Sequence, residues 1–588
     1  MKHDKRGMVM NYSYILHTPD NNLTITRNID IFSDAGEKTV VSDPYTVHID
    51  CKEQGRYRVI EITVSSEEER EVYLSLCGEG DHTLFSFKGS CDVERLFRQS
   101  PHDVTRYHFK MQRGAIPMVA AVKGESAEIF VSDNPSFFDN ATTQHLLPEE
   151  HKFYLSSGDP GGAPNFPLSD RFDPIFHKIG NGRPHTFRFV AFRADVHTLK
   201  PIRREVFRMI EKIWGSGSDS IYRAVCYGSN YMHIRKNETG RSDKWVVAGI
   251  EYANTQYFRD SFYQTMILDE YMKEQSYLAL DYEFKDAENP MVYLIWSYRI
   301  FQYGKPFNKK RADQAFETVM ECMDKFTADG GYYPNCREDC SFRNWFDICC
   351  YELDDVDAYN QGLCVCALEA AKRLGYDIGD RKEKALARYH SLFNGEYIPM
   401  SEKKQFLALD VTVGEVLYYV LFDELFIPDE MMEKTYRRIV DSAAKTPYGL
   451  KIVSAPDGSY LPVEAFGLNG YVHPGFDTIE TGRYANGGSY HIYEMLFHIA
   501  AYLHGIPDAE KNMIERLMID LNFDGATHEY MHTVKGIGVK SNQGWNAAIW
   551  AIWNELMQRG KATDAYFRAA DEKLETIEHF IAPERKAY

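Results

Sequence analysis

Long apolar runs are missing from this sequence. No window approaches the roughly 18 uncharged apolar residues of a membrane span, and the nearest, 416–427, is broken by Asp423 and Glu424. The opening residues, MKHDKRGMVMNYSY, start basic but hold no apolar stretch of signal-peptide length. Paired C-x-x-C knuckles are absent as well. Cys336, Cys340, Cys349, Cys350, Cys364 and Cys366 crowd together without that spacing, so they read as ordinary buried thiols rather than a structural zinc site. An odd total of eleven cysteines without an export signal points to reduced thiols and a cytoplasmic protein. Positive charge is also short. A net charge of −19 repels phosphate backbones and anionic lipid, which argues against nucleic acid and membrane as partners. No short repeat marks a solenoid.

What the chain has instead is aromatic rings, 14% of its residues. Flat rings with polar edges suit surfaces that grip partly polar ligands such as sugars, although a Tyr-rich core is the commoner explanation of any single ring. At 588 residues the chain exceeds what one core supports, so more than one domain is expected.

Up to residue 195 the apolar pattern has a period near two. Tyr57, Val59, Glu61 and Thr63 alternate against Arg58, Ile60, Ile62 and Val64; Phe187, Phe189 and Ala191 alternate against Arg188, Val190 and Phe192; Tyr107, Phe109 and Met111 do the same. Such runs between turn-rich stretches predict an antiparallel β-sandwich over 1–195, with SSGDPGGAPNFP (156–167) as a surface loop. The period then lengthens. Ile202, Val206, Met209, Ile210 and Ile213 share one helical face, which predicts a linking helix within 196–217.

From 218 to 588 helical patterns fall near 218–234, 259–274, 288–303, 309–328, 355–375, 380–393, 410–424, 428–443, 487–504, 507–520, 543–558 and 562–581. Twelve helices suit a barrel of six helical hairpins, an (α/α)6 barrel. Function in such a scaffold belongs on the loops at one end. The long loops are 235–258, 329–354, 444–486 and 521–542.

Each of these loops carries an unusual polar group. The first leads into Arg259 and Asp260, which could bind sugar hydroxyls through charge-assisted hydrogen bonds or form an N-cap beside a salt bridge. The second holds Trp345 and Phe346 ahead of Asp347. Aromatic surroundings strip hydration from a carboxyl and raise its pKa, as a general acid requires. Asp355, at the next helix start, reads as a cap; Asp357 and Asn360 could face a ligand. The third loop carries Glu464 and Glu480, rival acid or base candidates, and ends in the Asn486-Gly487-Gly488 turn. The fourth contains THEYMHTVKG, in which His528, Glu529 and His532 spell H-E-x-x-H. That signature binds zinc only when a helix sets both histidines on one face. Gly525 and Gly536 leave barely two turns for one. A zinc peptidase is therefore the weaker reading.

In order along the chain stand Arg259-Asp260-Ser261-Phe262, Trp345-Phe346-Asp347, Asp355 to Asn360, Thr446-Pro447-Tyr448-Gly449-Leu450, Tyr484-Ala485-Asn486-Gly487 and His528-Glu529-Tyr530. This series resembles the glucosidase domain of glycogen-debranching enzymes and related six-hairpin glycosidases, over about 246–558. The resemblance implies that Asp347 is the general acid and Glu529 the general base of an inverting, exo-acting hydrolysis. It implies that Arg259, Asp260 and Asp357 line the subsite of the departing sugar, and Trp345, Asn360, Tyr484, Asn486 and Trp545 are taken with them as substrate-contact residues. No metal or organic cofactor is implied. The partner would be an oligosaccharide or glycoside, and a phosphorylase on the same fold is the nearest rival. One departure stands out: the family's turn continues into V-W-P-W, whereas here Gly488-Ser489-Tyr490-His491 follows.

Overall fold

The computed structural model describes residues 10–18, 25–32, 37–86, 89–90, 111–112, 118–132, 143–147, 151–156, 177–214, 222, 226, 231–236, 242–247, 258–268, 284, 287–326, 345, 355–466, 480–524, 527–541 and 543–576. Strands dominate its first part, in two antiparallel sheets. One sheet runs Ile25–Asn28, Asn11–His17, Arg70–Glu79, Lys152–Ser156, Thr143–Leu147, Met111–Gln112, with His177–Ile179 also on Arg70–Glu79. The other runs Lys38–Ser42, Tyr45–Gln54, Tyr57–Ser66, His185–Ala194, Ser126–Ser132, Met118–Lys123, Thr83–Ser86, Gly89–Ser90.

Side-chain alternation divides the second sheet between two cores. Ile60, Ile62, Val64, Phe187, Phe189 and Ala191 meet Tyr14, Leu16, Leu74 and Leu76 of the first sheet. Their neighbours Val59, Val190 and Phe192 join a core that continues through Leu199, Ile202, Val206 and Met209 into the helices. Of the period-two segments, 107–109 and the loop 157–167 lie outside the described residues.

The helices are α1 (Leu199–Met209), α2 (Phe258–Leu268), α3 (Asn289–Gln302), α4 (Lys309–Phe326), α5 (Ala358–Arg373), α6 (Arg381–Ser391), α7 (Val413–Phe422), α8 (Asp429–Val440), α9 (His491–Leu503), α10 (Ala509–Asp524), α11 (Ala547–Gln558) and α12 (Ala565–Thr576). They fall into two kinds. Helices α3, α5, α7 and α9 are buried around nearly their whole circumference. By contrast α6, α8 and α12 bury only a stripe, such as Ala385 and Tyr389 on α6 or Met432, Tyr436 and Ile439 on α8. An all-round apolar helix belongs inside and a striped one outside. Packing follows that division: α2 touches α3, α3 touches α5, α5 touches α7, α7 touches α9, α9 touches α11, and α11 returns to α2. Where α5 crosses α7, Gly414 meets the backbone of Gly362 so closely that a Cβ would lie 2.3 Å from its carbonyl carbon.

Three expectations need correction. The helix expected over 218–234 ends short, because Tyr231–Lys236 pairs antiparallel with Ser242–Val247 as a hairpin; the intervening NETGR supplies turn-forming residues that outweigh the helical spacing. Helix α10 runs on to Asp524, four residues beyond its expected end. The segment 528–532 is a strand, paired with Ser489–Tyr490 on one side and Ile537–Ser541 on the other.

Candidate active site

Arg259 and Asp260 open α2, and both are largely or wholly buried. The Arg259 guanidinium donates to Glu288, at the start of α3, and stands 3.9 Å from the Asp260 carboxylate. It also sits 5.8 Å from the ring centre of Trp545. Asp260 accepts from the Gln543 amide at 3.0 Å. Burial pushes its carboxyl up to about 6, even though Arg259 pulls the other way. This arrangement is a buried ion-pair cluster rather than a simple cap.

Trp345 lies in the same place. Its indole N–H donates to Asp410 at 2.7 Å, and its ring stacks on Tyr493 with centres 4.0 Å apart. Asp410 begins the short 3-10 turn ahead of α7; burial raises its carboxyl to about 6, with the Trp345 hydrogen bond offsetting part of that rise. Tyr493, on the first turn of α9, also meets Tyr359 of α5 and Trp545 ahead of α11 edge-on. Residues from the N-terminal ends of α2, α3, α5, α7, α9 and α11 therefore converge. Several of their polar atoms are buried without a hydrogen-bond partner among the described residues: Arg259 Nε, Glu288 Oε2, the phenols of Tyr359 and Tyr493, Trp545 Nε1, and both side-chain polar atoms of Asn360. Buried groups of this kind are ordinarily satisfied. Neutral phenols, kept protonated by burial at Tyr359 and Tyr493, are donors to a hydroxylated ligand.

The aromatic wall extends toward the hairpin. Tyr490 lies edge-on to Trp345 and stacks on Tyr530, while Tyr484 meets both Tyr490 and Tyr530 edge-on. Glu529, beside Tyr530 on the strand, is buried. The turn holding Tyr484 and Asn486 is clamped to this strand, with the Thr533 hydroxyl donating to Gly487 O at 2.6 Å and Thr533 N to Gly482 O at 2.9 Å. Asn486 is buried, its amide donating to Leu461 O at 3.3 Å.

Several expected roles shift. Asp357, not Asp355, caps α5: its extended backbone lets Oδ1 accept from Asn360 N at 2.7 Å, which ties up that oxygen. Asp355 instead accepts from the Ser401 hydroxyl and from Lys403 N, anchoring the 401–403 turn. Glu464 is exposed. Glu480 is only partly buried, and although burial favours its neutral form, Lys535 at 2.5 Å holds it below the usual range. Such a carboxyl is a poor acid. Asp347 and Phe346 lie outside the described residues, as do Cys336, Cys340, Cys349 and Cys350; Cys364 and Cys366 are free buried thiols.

The H-E-x-x-H spelling does not make the helical zinc site. A strand rising about 3.3 Å per residue sets its two histidines roughly 13 Å apart, and each has another task. His532 Nδ1 accepts the Lys535 and Val534 N–H groups of the hairpin turn, and His528 Nδ1 faces Asp520 at 3.6 Å. Sequence reasoning missed Glu288, Asp410 and Tyr493. Their signal was position: each starts a helix of the all-round buried kind.

The sequence matches no family model and no curated protein. Solved structures to which the chain is similar include one titled "Glycosidase Wild Type", at 10% identity and TM-score 0.38 over 62% of this chain and 98% of that one. A GH63 mannosylglycerate hydrolase from Thermus thermophilus in complex with Tris is another, at 11% and 0.35 over 53% and 96%. A putative kojibiose phosphorylase from human microbiome is a third, at 8% and 0.26 over 92% and 78%.

Proposed function

We propose that this chain is an exo-acting, inverting glycoside hydrolase built as a β-sandwich (1–195), a linking helix (196–217) and an (α/α)6 barrel (218–588). The ring of contacts through α2, α3, α5, α7, α9 and α11 supports the barrel. The observation that carries the function is the convergence of buried polar atoms and rings at one end of that ring. Arg259, Asp260, Glu288, Asn360, Tyr359 and Tyr493 offer donors and acceptors in several directions, and Trp345 and Trp545 offer flat faces, which is the chemistry of a sugar-binding pocket.

In this reading Asp347 protonates the leaving oxygen and Glu529 takes a proton from the attacking water. Inversion needs the two carboxyls about 6.5–9.5 Å apart, so that water fits between sugar and base. Two residues after Trp345, Asp347 follows a side chain pinned to Asp410 and Tyr493. Glu529 is buried on the strand His528–His532, which pairs with Ser489–Tyr490 at the start of α9. The test is sugar release from a panel of α- and β-linked oligosaccharides and aryl glycosides by wild type, Asp347→Asn and Glu529→Gln. Each variant is expected to lose about 10²–10⁴ of the rate, with a product of inverted anomeric configuration by NMR. A Glu529→Gln variant as fast as wild type removes Glu529 as base. A rate that depends on phosphate replaces hydrolysis by phosphorolysis.

A further inference from the structure

We infer that the Arg516–Asp520 pair, buried behind the strand His528–His532, is a positioning pair that fixes where the Glu529 carboxylate points; this rests on the reading of Glu529 as the base. Both residues lie on α10, one turn apart, and both side chains are fully buried. Arg516 spends its guanidinium on three partners: Nη1 on Asp520 at 2.6 Å, Nε on Glu494 at 2.9 Å and Nη2 on the backbone oxygen of Ser489 at 3.2 Å. Ser489 belongs to the strand paired with Glu529's own, in register with Met531. Asp520 in turn takes the His491 Nδ1 contact at 2.6 Å and faces His528 Nδ1 at 3.6 Å. Burial alone would raise the Asp520 carboxyl, but Arg516 and the two histidines hold it far below its ordinary range.

Strand geometry converts these contacts into a direction. Successive side chains leave opposite faces, so turning His528 toward Asp520 turns Glu529 away from it. The other side of the strand is fastened too, with the Asn546 amide donating to His528 O at 2.7 Å. The T-P-Y-G-L turn packs against the same network. Gly449, at φ +106, has no room for a Cβ, which would meet Ser489 Oγ, Glu494 and Arg516 within 3.0 Å. Ser489 and His491, two of the four residues that stand where the resembled family has V-W-P-W, both serve this network: Ser489 Oγ donates to Glu494 at 2.8 Å, and His491 meets Asp520. A buried ion network is a poor source of stability compared with apolar packing. Its use here is placement.

The experiment is steady-state kinetics of Asp520→Asn beside Glu529→Ala, on the aryl glycoside that wild type cleaves, with and without sodium azide. Azide attacks the anomeric carbon without a base: the C–N bond forms as the C–O bond breaks, and the leaving oxygen takes its proton from Asp347. Asp520→Asn is expected to lower kcat about 30- to 100-fold, the scale of an ångström's misplacement, to leave KM within about twofold, and to regain its rate with azide as Glu529→Ala does. If Asp520→Asn fails to fold, His528→Gln interrupts the same contacts at the strand and takes the same readouts. Unchanged kcat, or a loss that azide does not restore, overturns the positioning role while leaving Glu529 as base. A Glu529→Ala variant as fast as wild type, or a panel with no cleaved glycoside, overturns the underlying reading and this inference with it.

Discussion

Trp345 shows how much a single residue can carry. Its ring faces Tyr493 and its N–H satisfies Asp410, a carboxyl that burial has already pushed up to about 6. Trp345→Phe keeps the ring and removes the donor. Leaving a buried carboxyl short of its partner costs about 1–3 kcal/mol, so urea unfolding should show a loss of that size. The pKa of Asp410 should rise further, since the interaction that lowers it is gone. An unchanged midpoint would mean that Asp410 finds another donor at no cost. Sequence alone identified Trp345 as a ring beside an acid; it did not identify Asp410, 65 residues away, because nothing local distinguishes that Asp from a helix-start carboxylate.

At the scale of elements, the start of α8 is tied to the end of α9 through one histidine. His504 lies 2.9 Å from Glu415 and 2.7 Å from Asp429, with its side chain buried. Glu415 also accepts the N–H groups of Phe426 and Ile427, holding the α7–α8 connection. Burial by itself lowers the His504 pKa, but the two carboxylates outweigh it and raise the value above the ordinary one. A raised folded pKa means that the contribution to stability is complete below the unfolded value of about 6.5 and disappears as pH climbs through the folded value. Removing one partner of a buried pair costs on the order of 3 kcal/mol. His504→Gln should therefore destabilise strongly at pH 6 and much less at pH 9 in urea titrations; an equal loss at both would assign the effect to packing. The helices themselves were legible from their 3.6-residue spacing. The hairpin 528–541 was not, because H-E-x-x-H satisfies a helical template as well as a strand, and only pairing with Ser489–Tyr490 decides between them.

Across the whole molecule, one sheet is shared by two cores. Phe192 is almost fully buried, on the face that continues through α1 into the helices. All seven tryptophans lie at residue 214 or beyond, so their fluorescence reports the part of the chain that follows the two sheets. Phe192→Ala should cost about 3–5 kcal/mol. If sheet and helices unfold together, the tryptophan midpoint should fall in step with the far-ultraviolet one; a tryptophan transition that stays put would make the two parts independent. Helix α1 also reaches the far end of the chain, with Arg203 donating to Leu574 O at 3.0 Å and Arg204 meeting Glu575 at 2.6 Å. A segment expected only to link is thus packed on both sides.

What the sequence by itself determined is the order of its local structures: strands up to Ala194, then a linking helix and, from Phe258 on, helices where the spacing marks them, since periodicity is set by neighbours in the chain. It also determined which residues stand on the long loops and the helix starts they feed, Arg259, Trp345 and Glu529 among the candidates. What only the tertiary structure decided is which of those places meet. Glu288, Asp410 and Tyr493 join the site, Asp357 turns into a cap, and Arg516 and Asp520 come to lie behind Glu529's strand. The reason is physical. Burial and charge pairing act between residues far apart in sequence, and neither leaves a period to read.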